Sequence, residues 1–394
     1  MLGEGSKPIF GNYFGTAKQI FWLSIVTSFF SVVTLGIYRF WAKTRIRRYI
    51  WSSIRIGGDA MEYTGSGLEK LLGFLIAVVV LAIYMGVVQL LLMYFGLQMF
   101  IEPETMEQAL AQIGAIYASL FAVVPLMLYA KFRARRYRMS RTRWRGIRFG
   151  MDKAAWGYVW RALLHWLVTI LSLGILTPRM SFYLEKYMTD RTYYGDTAFV
   201  QNGKWTDLYK GMKHVAIGVV IMVVSMSVLV ITEKGAAMLV FFVGYIWVFV
   251  GVVSYQVFSF RYFTANKSLV GEVEFSVEPV TSEIVVRLFA VSVLTAILLA
   301  IFGGIVSSVL NDLVTESPTE IIGPLLAMAI GYTGIFILGG ALNLAWLIQP
   351  IIGDIVCTLK IKNHEDLDQI TQRAAADGLD GEGFADALDI GAAI

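Results

Sequence analysis

Lys131-Phe-Arg-Ala-Arg-Arg-Tyr-Arg-Met-Ser-Arg-Thr-Arg-Trp-Arg-Gly-Ile-Arg148 follows directly on the uncharged stretch Val124-Pro-Leu-Met-Leu-Tyr-Ala130 and carries nine basic side chains with no acid among them. A basic connector at the end of a hydrophobic span stays in the cytoplasm, so this junction orients the apolar segments on either side of it. The composition agrees with lipid as solvent. Among 394 residues, 57% are hydrophobic and 16% charged, and the mean hydropathy is +0.65, outside the balance of soluble domains. Leu71 to Phe100 has no charged side chain and exceeds the roughly 20 residues that cross a hydrocarbon core.

Six stretches read as spans: Leu71 to Phe100, Ile113 to Ala130, Val215 to Ile231, Ala236 to Val257, Leu288 to Leu310 and Ile321 to Ile348. They form three hairpins whose outer turns, 101–112, 232–235 and 311–320, are not basic-rich, whereas loops 39–70, 131–155 and 179–213 are. The hairpins are therefore expected to point outward. Two further apolar segments, Ile20 to Tyr38 and Ala162 to Leu176, are expected to be re-entrant or interfacial. A single crossing by the second would put loops 131–155 and 179–213 on opposite sides, although both are net basic.

Short self-similar segments mark the basic loops: Ile54-Arg-Ile-Gly-Gly-Asp-Ala-Met-Glu-Tyr63, Trp144-Arg-Gly-Ile-Arg-Phe149, Tyr193-Tyr-Gly-Asp-Thr-Ala-Phe199 and Leu269-Val-Gly-Glu-Val-Glu-Phe275. Weaker relatives are Ile9 to Phe14 and Ile355 to Ile361. Val273, Phe275 and Val277 alternate with Glu272, Glu274 and Ser276, the period of a half-buried strand. Six short strands are thus expected to pair on one side of the membrane, since isolated strand pairs are marginal in water. A larger duplication aligns Ser24 to Gly58 with Trp166 to Asp196 through Leu35-Gly36-Ile37 and Leu173-Gly174-Ile175. Such repeats occur in transporters and equally in proteins that merely grew by duplication.

Thr34-Leu-Gly-Ile-Tyr-Arg-Phe-Trp-Ala-Lys-Thr-Arg-Ile-Arg-Arg-Tyr-Ile-Trp51, with Gly57-Gly58 and Tyr63-Thr-Gly65, resembles the signature of the YjgN-like bacterial inner-membrane proteins, a domain of unknown function. Thr192 to Phe199 and Gly381-Glu-Gly-Phe-Ala-Asp-Ala-Leu-Asp-Ile390 are similar to the same family. The resemblance implies the bacterial inner (plasma) membrane and brings no reaction, substrate or catalytic residue with it.

Arg39, Lys43, Arg45, Arg47 and Arg48 are interleaved with Trp41, Tyr49 and Trp51. Such a mixture suits the headgroup layer, either as a specific lipid or anion site or as a generic topology anchor. Arg161 and His165 share one helical face by their spacing. With Arg287, they are ionisable groups near apolar segments, where burial in lipid is costly unless the group serves a function or snorkels to the interface. A nucleic-acid partner is disfavoured for basic residues beside a span. The spans contain no Asp or Glu in their cores, which disfavours ion-coupled transport. Glycines 303, 304, 331, 334, 339 and 340 suit close helix packing.

No nucleophile–base pair, carboxylate pair or metal-ligand spacing is legible, and Gly381-Glu-Gly383 is too short for a nucleotide fingerprint. Enzymatic activity is therefore unsupported, and neither cofactor nor metal is expected. The lone Cys357 excludes an internal disulfide. Residues 1–18 lack a cleaved-signal pattern, so the mature chain is expected to start at or near Met1.

The sequence thus reads as an all-α polytopic membrane protein of three transmembrane hairpins, with two re-entrant or interfacial segments and short strand repeats at the cytoplasmic face. Residues 1–363 form a single membrane domain, and 364–394 an acidic tail with eight acids against Arg373. The leading function is passive lipid or small-solute handling at a cavity between repeats, with anionic headgroups as partners and Arg39, Lys43, Arg45, Arg47, Arg48, Arg161 and His165 as the candidate lipid- or anion-binding residues. The alternative is a scaffold recruiting partners through its basic face and tail. An impermeant thiol reagent applied outside intact cells is expected to leave Cys357 unmodified; ready labelling would overturn the topology.

Overall fold

The computed structural model describes residues 7–97, 99, 102–232, 235–269, 273–316 and 322–373. β1 (Ile9–Tyr13) leads into α1 (Ala17–Val33), which turns into α2 (Arg39–Ser53) and continues through β2 (Ile54–Ile56) and β3 (Asp59–Tyr63). The long helices α3 (Gly67–Tyr94) and α4 (Met106–Ser140) follow, then β4 (Thr142–Trp144) and β5 (Ile147–Met151). The shorter pair α5 (Ala155–Leu171) and α6 (Thr177–Thr189) is followed by β6 (Thr192–Tyr194), β7 (Thr197–Ala198) and β8 (Val200–Gln201). A 3₁₀ stretch, Trp205–Met212, opens α7 (Lys213–Thr232); α8 (Ala236–Ala265), β9 (Lys267–Leu269) and β10 (Val273–Ser276) come next. α9 (Thr281–Glu316), α10 (Ile322–Leu342), the π-helical Asn343–Ile348, α11 (Gln349–Thr358) and β11 (Lys360–Lys362) end the series, before a 3₁₀ turn His364–Gln369.

Local sequence starts three of these helices in one way. Thr16, Ser66 and Thr105 accept the backbone N–H of Gln19, Glu69 and Gln108, and at Thr105 the Gln108 side chain completes a capping box. Among the described residues, six helical segments are long and apolar enough to cross a membrane: Gly67–Tyr94, Met106–Ser140, Trp205–Thr232, Ala236–Ala265, Thr281–Ser308 and Met328–Thr358. Each overlaps one expected span. On α3, Leu75, Ile76, Val79, Val80, Ile83 and Leu90 are all more than half exposed, a surface whose natural solvent is lipid.

The chain groups into two compact units, residues 1–61 with 202–368, and residues 62–201 with 369–394. In the first, the strand order is β3-β2-β1-β11-β10-β9, with Gly11 opposite Ile56, Ile9 opposite Ile361, and Phe275 opposite Ile361 on the other side. Val273, Leu269 and Ile361 are buried. In the second, the order is β7-β6-β5-β4, with Phe149 opposite Tyr194 and Met151 opposite Thr192. Its core joins Leu128 and Phe132 of α4, Met151 of β5, Tyr158, Val159 and Ala162 of α5, and Leu184, Tyr187 and Met188 of α6.

The helical part of the expected class stands, but its strand part needs correcting, because the motifs fold back as hairpins where single strands were expected. Ile56 faces Asp59 across Gly57-Gly58 (φ +62° and +94°), and Trp144 faces Ile147 across Arg145-Gly146 (φ +50° and +74°). Two successive positive φ values make type I′ turns, whose twist matches that of the flanking strands. Tyr194 faces Thr197 with Gly195 at φ +58° in the first turn position. The sixth motif is also shifted: residues 355–358 finish α11, and the strand begins at Lys360. The turn 270–272, and Gly381 to Ile390 of the tail, lie outside the described residues.

The two short helix pairs return to the strands they left. β1 and β2, on either side of α1–α2, pair antiparallel, as do β5 and β6 on either side of α5–α6. An offset of 138 residues carries α1 onto α5, the start of α2 onto the start of α6, and the turn residues Leu35-Gly36 onto Leu173-Gly174. In each turn the leucine (φ +50° and +51°) and glycine (φ +90° and +85°) are left-handed. The hydrogen bonds match as well, with Gly36 N–H to Ser31 O at 2.6 Å and Gly174 N–H to Thr169 O at 2.8 Å.

Two other expectations change. Arg287 is paired with Asp354 of α11, and also with Glu283 at 3.3 Å, so it knits helix ends together. A Cβ at Gly303, Gly304, Gly334 or Gly340 would meet nothing within 4 Å, whereas one at Gly218 would lie 2.7 Å from Val248 N. Close packing is thus served by α7–α8 glycines; of the expected set only Gly331, against Phe302, is tightly enclosed.

The hairpin turns make a graded prediction. At Gly58 a Cβ would meet nothing within 4 Å, so Gly58→Ala should cost only the left-handed strain of about 1 kcal/mol. At Gly195 it would lie 2.3 Å from Thr371 O, so Gly195→Ala should lower the thermal midpoint in detergent markedly further.

Candidate functional site

In the first unit, α2 buries Phe40, Thr44, Arg47 and Ile50 on one face, while Arg39, Arg45 and Arg48 are exposed and Lys43 is half-buried. The helix is tied to the start of α1 by Tyr49, whose hydroxyl accepts the Thr16 N–H at 2.8 Å. Arg45 Nη1 donates to Tyr38 Oη at 2.8 Å, and the Tyr38 and Trp41 rings stack at 6.4 Å. Arg47 lies 5.9 Å from the Trp51 ring centre. Of the five expected cations on α2, Arg47 is thus turned inward, and the others border the aromatic stack or the exposed face.

In the second unit, α5 exposes Trp156, Trp160, Leu164, Leu167 and Leu171, one stripe at helical spacing, and buries Tyr158, Val159 and Ala162. The stripe grades from indoles near the base to aliphatics at the tip. Tyr187 Oη donates to Ala154 O at 3.0 Å, the counterpart of the Tyr49–Thr16 tie 138 residues earlier. Arg161 reaches toward the base of the helix, donating to Gly157 O at 3.0 Å and sitting 4.7 Å from the Tyr187 ring centre. His165 stacks on Tyr183 at 5.5 Å. Although they share a face, Arg161 and His165 therefore hold different tyrosines and do not converge.

Between the basic half of α4 and the start of α5 lies an open cavity of about 430 Å³, lined by Tyr129, Phe132, Arg133, Arg136 and residues 153–157. Arg136, 4% exposed, is fixed by its Nε donating to Met151 O at 2.8 Å. Arg133 Nη1 donates to Tyr129 Oη at 3.0 Å, and the Tyr129 and Trp156 rings meet at 5.1 Å. In sequence Arg133 and Arg136 are topology signals only, and nothing there sets Lys153 apart. Their shared helical face was visible in the i, i+3 spacing, but the approach of residues 153–157 was not.

Neighbouring cations are engaged elsewhere. Arg135 forms a two-pronged ion pair with Glu185, at 2.7 and 2.8 Å. Arg141 contacts Glu69 at 2.9 and 3.2 Å, and Tyr137 Oη donates to the same carboxylate at 2.8 Å. The start of the tail is held too: Thr371 donates through N–H and Oγ1 to the Asp196 carboxylate, whose pKa these bonds lower. Among the described residues, no group of three or more His, Cys, Asp or Glu side chains is placed to hold a metal ion.

Comparison with known proteins agrees with this architecture. Residues 9–387 match the family model described as "Bacterial protein of unknown function (DUF898)". The chain is also similar to the inner membrane protein YjgN of Escherichia coli K12, 21% identical over 148 residues, which is 38% of this chain and 32% of that protein. The YjgN of Escherichia coli O157:H7 is 22% identical over the same shares. The matched segment thus spans about a third of these relatives. No solved structure matches. Six apolar helices of membrane length and these relatives make this a multi-pass inner-membrane protein. The family match over nearly the whole chain identifies it as a member of that YjgN-like family of bacterial proteins of unknown function.

Proposed function

We propose that this protein handles lipid passively from the cytoplasmic side of the inner membrane, residues 1–363 acting as one membrane domain grown by internal duplication. Its helices α3–α4, α7–α8 and α9–α11 point outward as transmembrane hairpins, while α1–α2 and α5–α6 enter the inner leaflet and come back out. The observation that carries the reading is the pair of hairpin tips: Leu35 is 95% exposed and Leu173 92% exposed.

Three features support lipid around those tips. Their neighbours are apolar and exposed: Val33 and Ile37 in one, Leu171 and Ile175 in the other. A left-handed leucine is strained by about 1–2 kcal/mol relative to glycine, and its use at both tips points to a need for the side chain. The length also fits. A helix of 17 residues spans about 25 Å, short of a hydrocarbon core of about 30 Å.

On this reading Arg39, Lys43, Arg45 and Arg48 meet anionic headgroups at about 1 kcal/mol each, and Arg161 snorkels toward the interface from α5. The indole-to-aliphatic gradient along α5 follows the same depth axis. The scaffold alternative has one observation of its own, the tail's start held at Asp196.

The test places single cysteines at Leu35 and Leu173 in a Cys357→Ser background, each labelled with an environment-sensitive dye in reconstituted vesicles. Lipids brominated on the acyl chain should quench both dyes, while aqueous iodide should not. Iodide quenching equal to that of a dye at Gly58 would sink the proposal.

A further inference from the structure

We infer that the cavity between α4 and the first turn of α5 is a binding site for a phosphate ester, of which the headgroup of an anionic phospholipid is the expected carrier. Among the described residues, three cations contribute to its wall, Arg133, Arg136 and Lys153, and no carboxylate does. Glu185 pairs with Arg135, Glu69 with Arg141, and Asp152 lies 3.9 Å from Arg373. A water-filled recess with this wall is strongly anion-attracting.

Its floor is already organised. Arg136 is almost fully buried and is positioned by a backbone carbonyl, Met151 O. Arginine is the side chain suited to two-pronged recognition of phosphate oxygens. The start of α5 adds to this field. Its capping position is Ala154, with no side-chain acceptor and no acid in the first turn, as is also true of α2, α6 and α8. Backbone N–H groups at such an end favour anions.

Size and setting point to an ester in preference to a bare ion. About 430 Å³ lies within the range of small-molecule sites, well above what one phosphate fills. Tyr129 and Trp156, in ring contact at 5.1 Å, supply the amphipathic surface found at a membrane–water boundary. Along α4 the site begins where the apolar run ends at Ala130 and Lys131 starts the basic one.

The full-length protein in neutral detergent would be titrated by calorimetry with short-chain phosphatidylglycerol, with glycerol phosphate and with inorganic phosphate. Lys153→Glu and Ala155→Glu are the diagnostic variants. Lys153 is exposed, so its replacement spares the core, whereas Ala155 packs partly against the core, so the thermal midpoint of each variant is read beside its affinity to separate lost binding from lost folding. Each should weaken binding roughly tenfold or more without lowering the thermal midpoint.

Lipid bound while glycerol phosphate is ignored assigns the headgroup; equal binding of both assigns a soluble phosphate ester at the same site. Binding unchanged in both variants, or no binding of any of the three ligands to the parent protein, would overturn the inference. The inference does not depend on how deep Leu35 and Leu173 sit, so it and the hairpin reading can fail separately.

Discussion

The backbone hydrogen bonds that set Phe149 opposite Tyr194 and Met151 opposite Thr192 oblige residues 152–191 to come back to where they left. A pair of antiparallel helices meets that constraint, because each helix satisfies its own backbone groups and the second brings the chain back. The same obligation falls on residues 14–53 through Gly11 opposite Ile56. Once both ends of a hairpin are anchored, its tip is the part farthest from the strands. Leu35 and Leu173 occupy it in the same strained conformation.

Charge is sorted by a few acids. The basic run from Lys131 would repel itself if left alone, but Glu185 and Glu69 each draw one arginine into a partly buried pair. These pairs bind α4 to α6 and α3, and their geometry matters more than their number, since a partly buried pair stabilises only when its hydrogen bonds are complete. On the α4 face toward α5, Arg133 and Arg136 line the recess together with Lys153.

Much of this architecture is legible in the residues. The apolar runs carry the period and length of spans, and the polarity of their connectors is a one-dimensional property. The strand motifs are visible too, although their hairpin form is not. Arg145-Gly146 forms a type I′ turn with an arginine left-handed in its first position, a residue no turn rule selects. The packing glycines could not be ranked in advance. Gly218 and Gly303 look alike in sequence, and only the partner helix, Val248 against nothing, separates them.

Periodicity and charge bias by themselves determined that this chain is a multi-pass membrane protein with basic connectors and short pleated pieces, because hydrophobic length and local charge need no partner to act. Tertiary structure alone decided that Arg161 and His165 serve separate tyrosines, that Arg287 closes on Asp354, and that Arg133, Arg136 and Lys153 share one recess. The physical reason is that a contact between helices depends on rotation and register, which neighbouring elements impose and no single segment encodes.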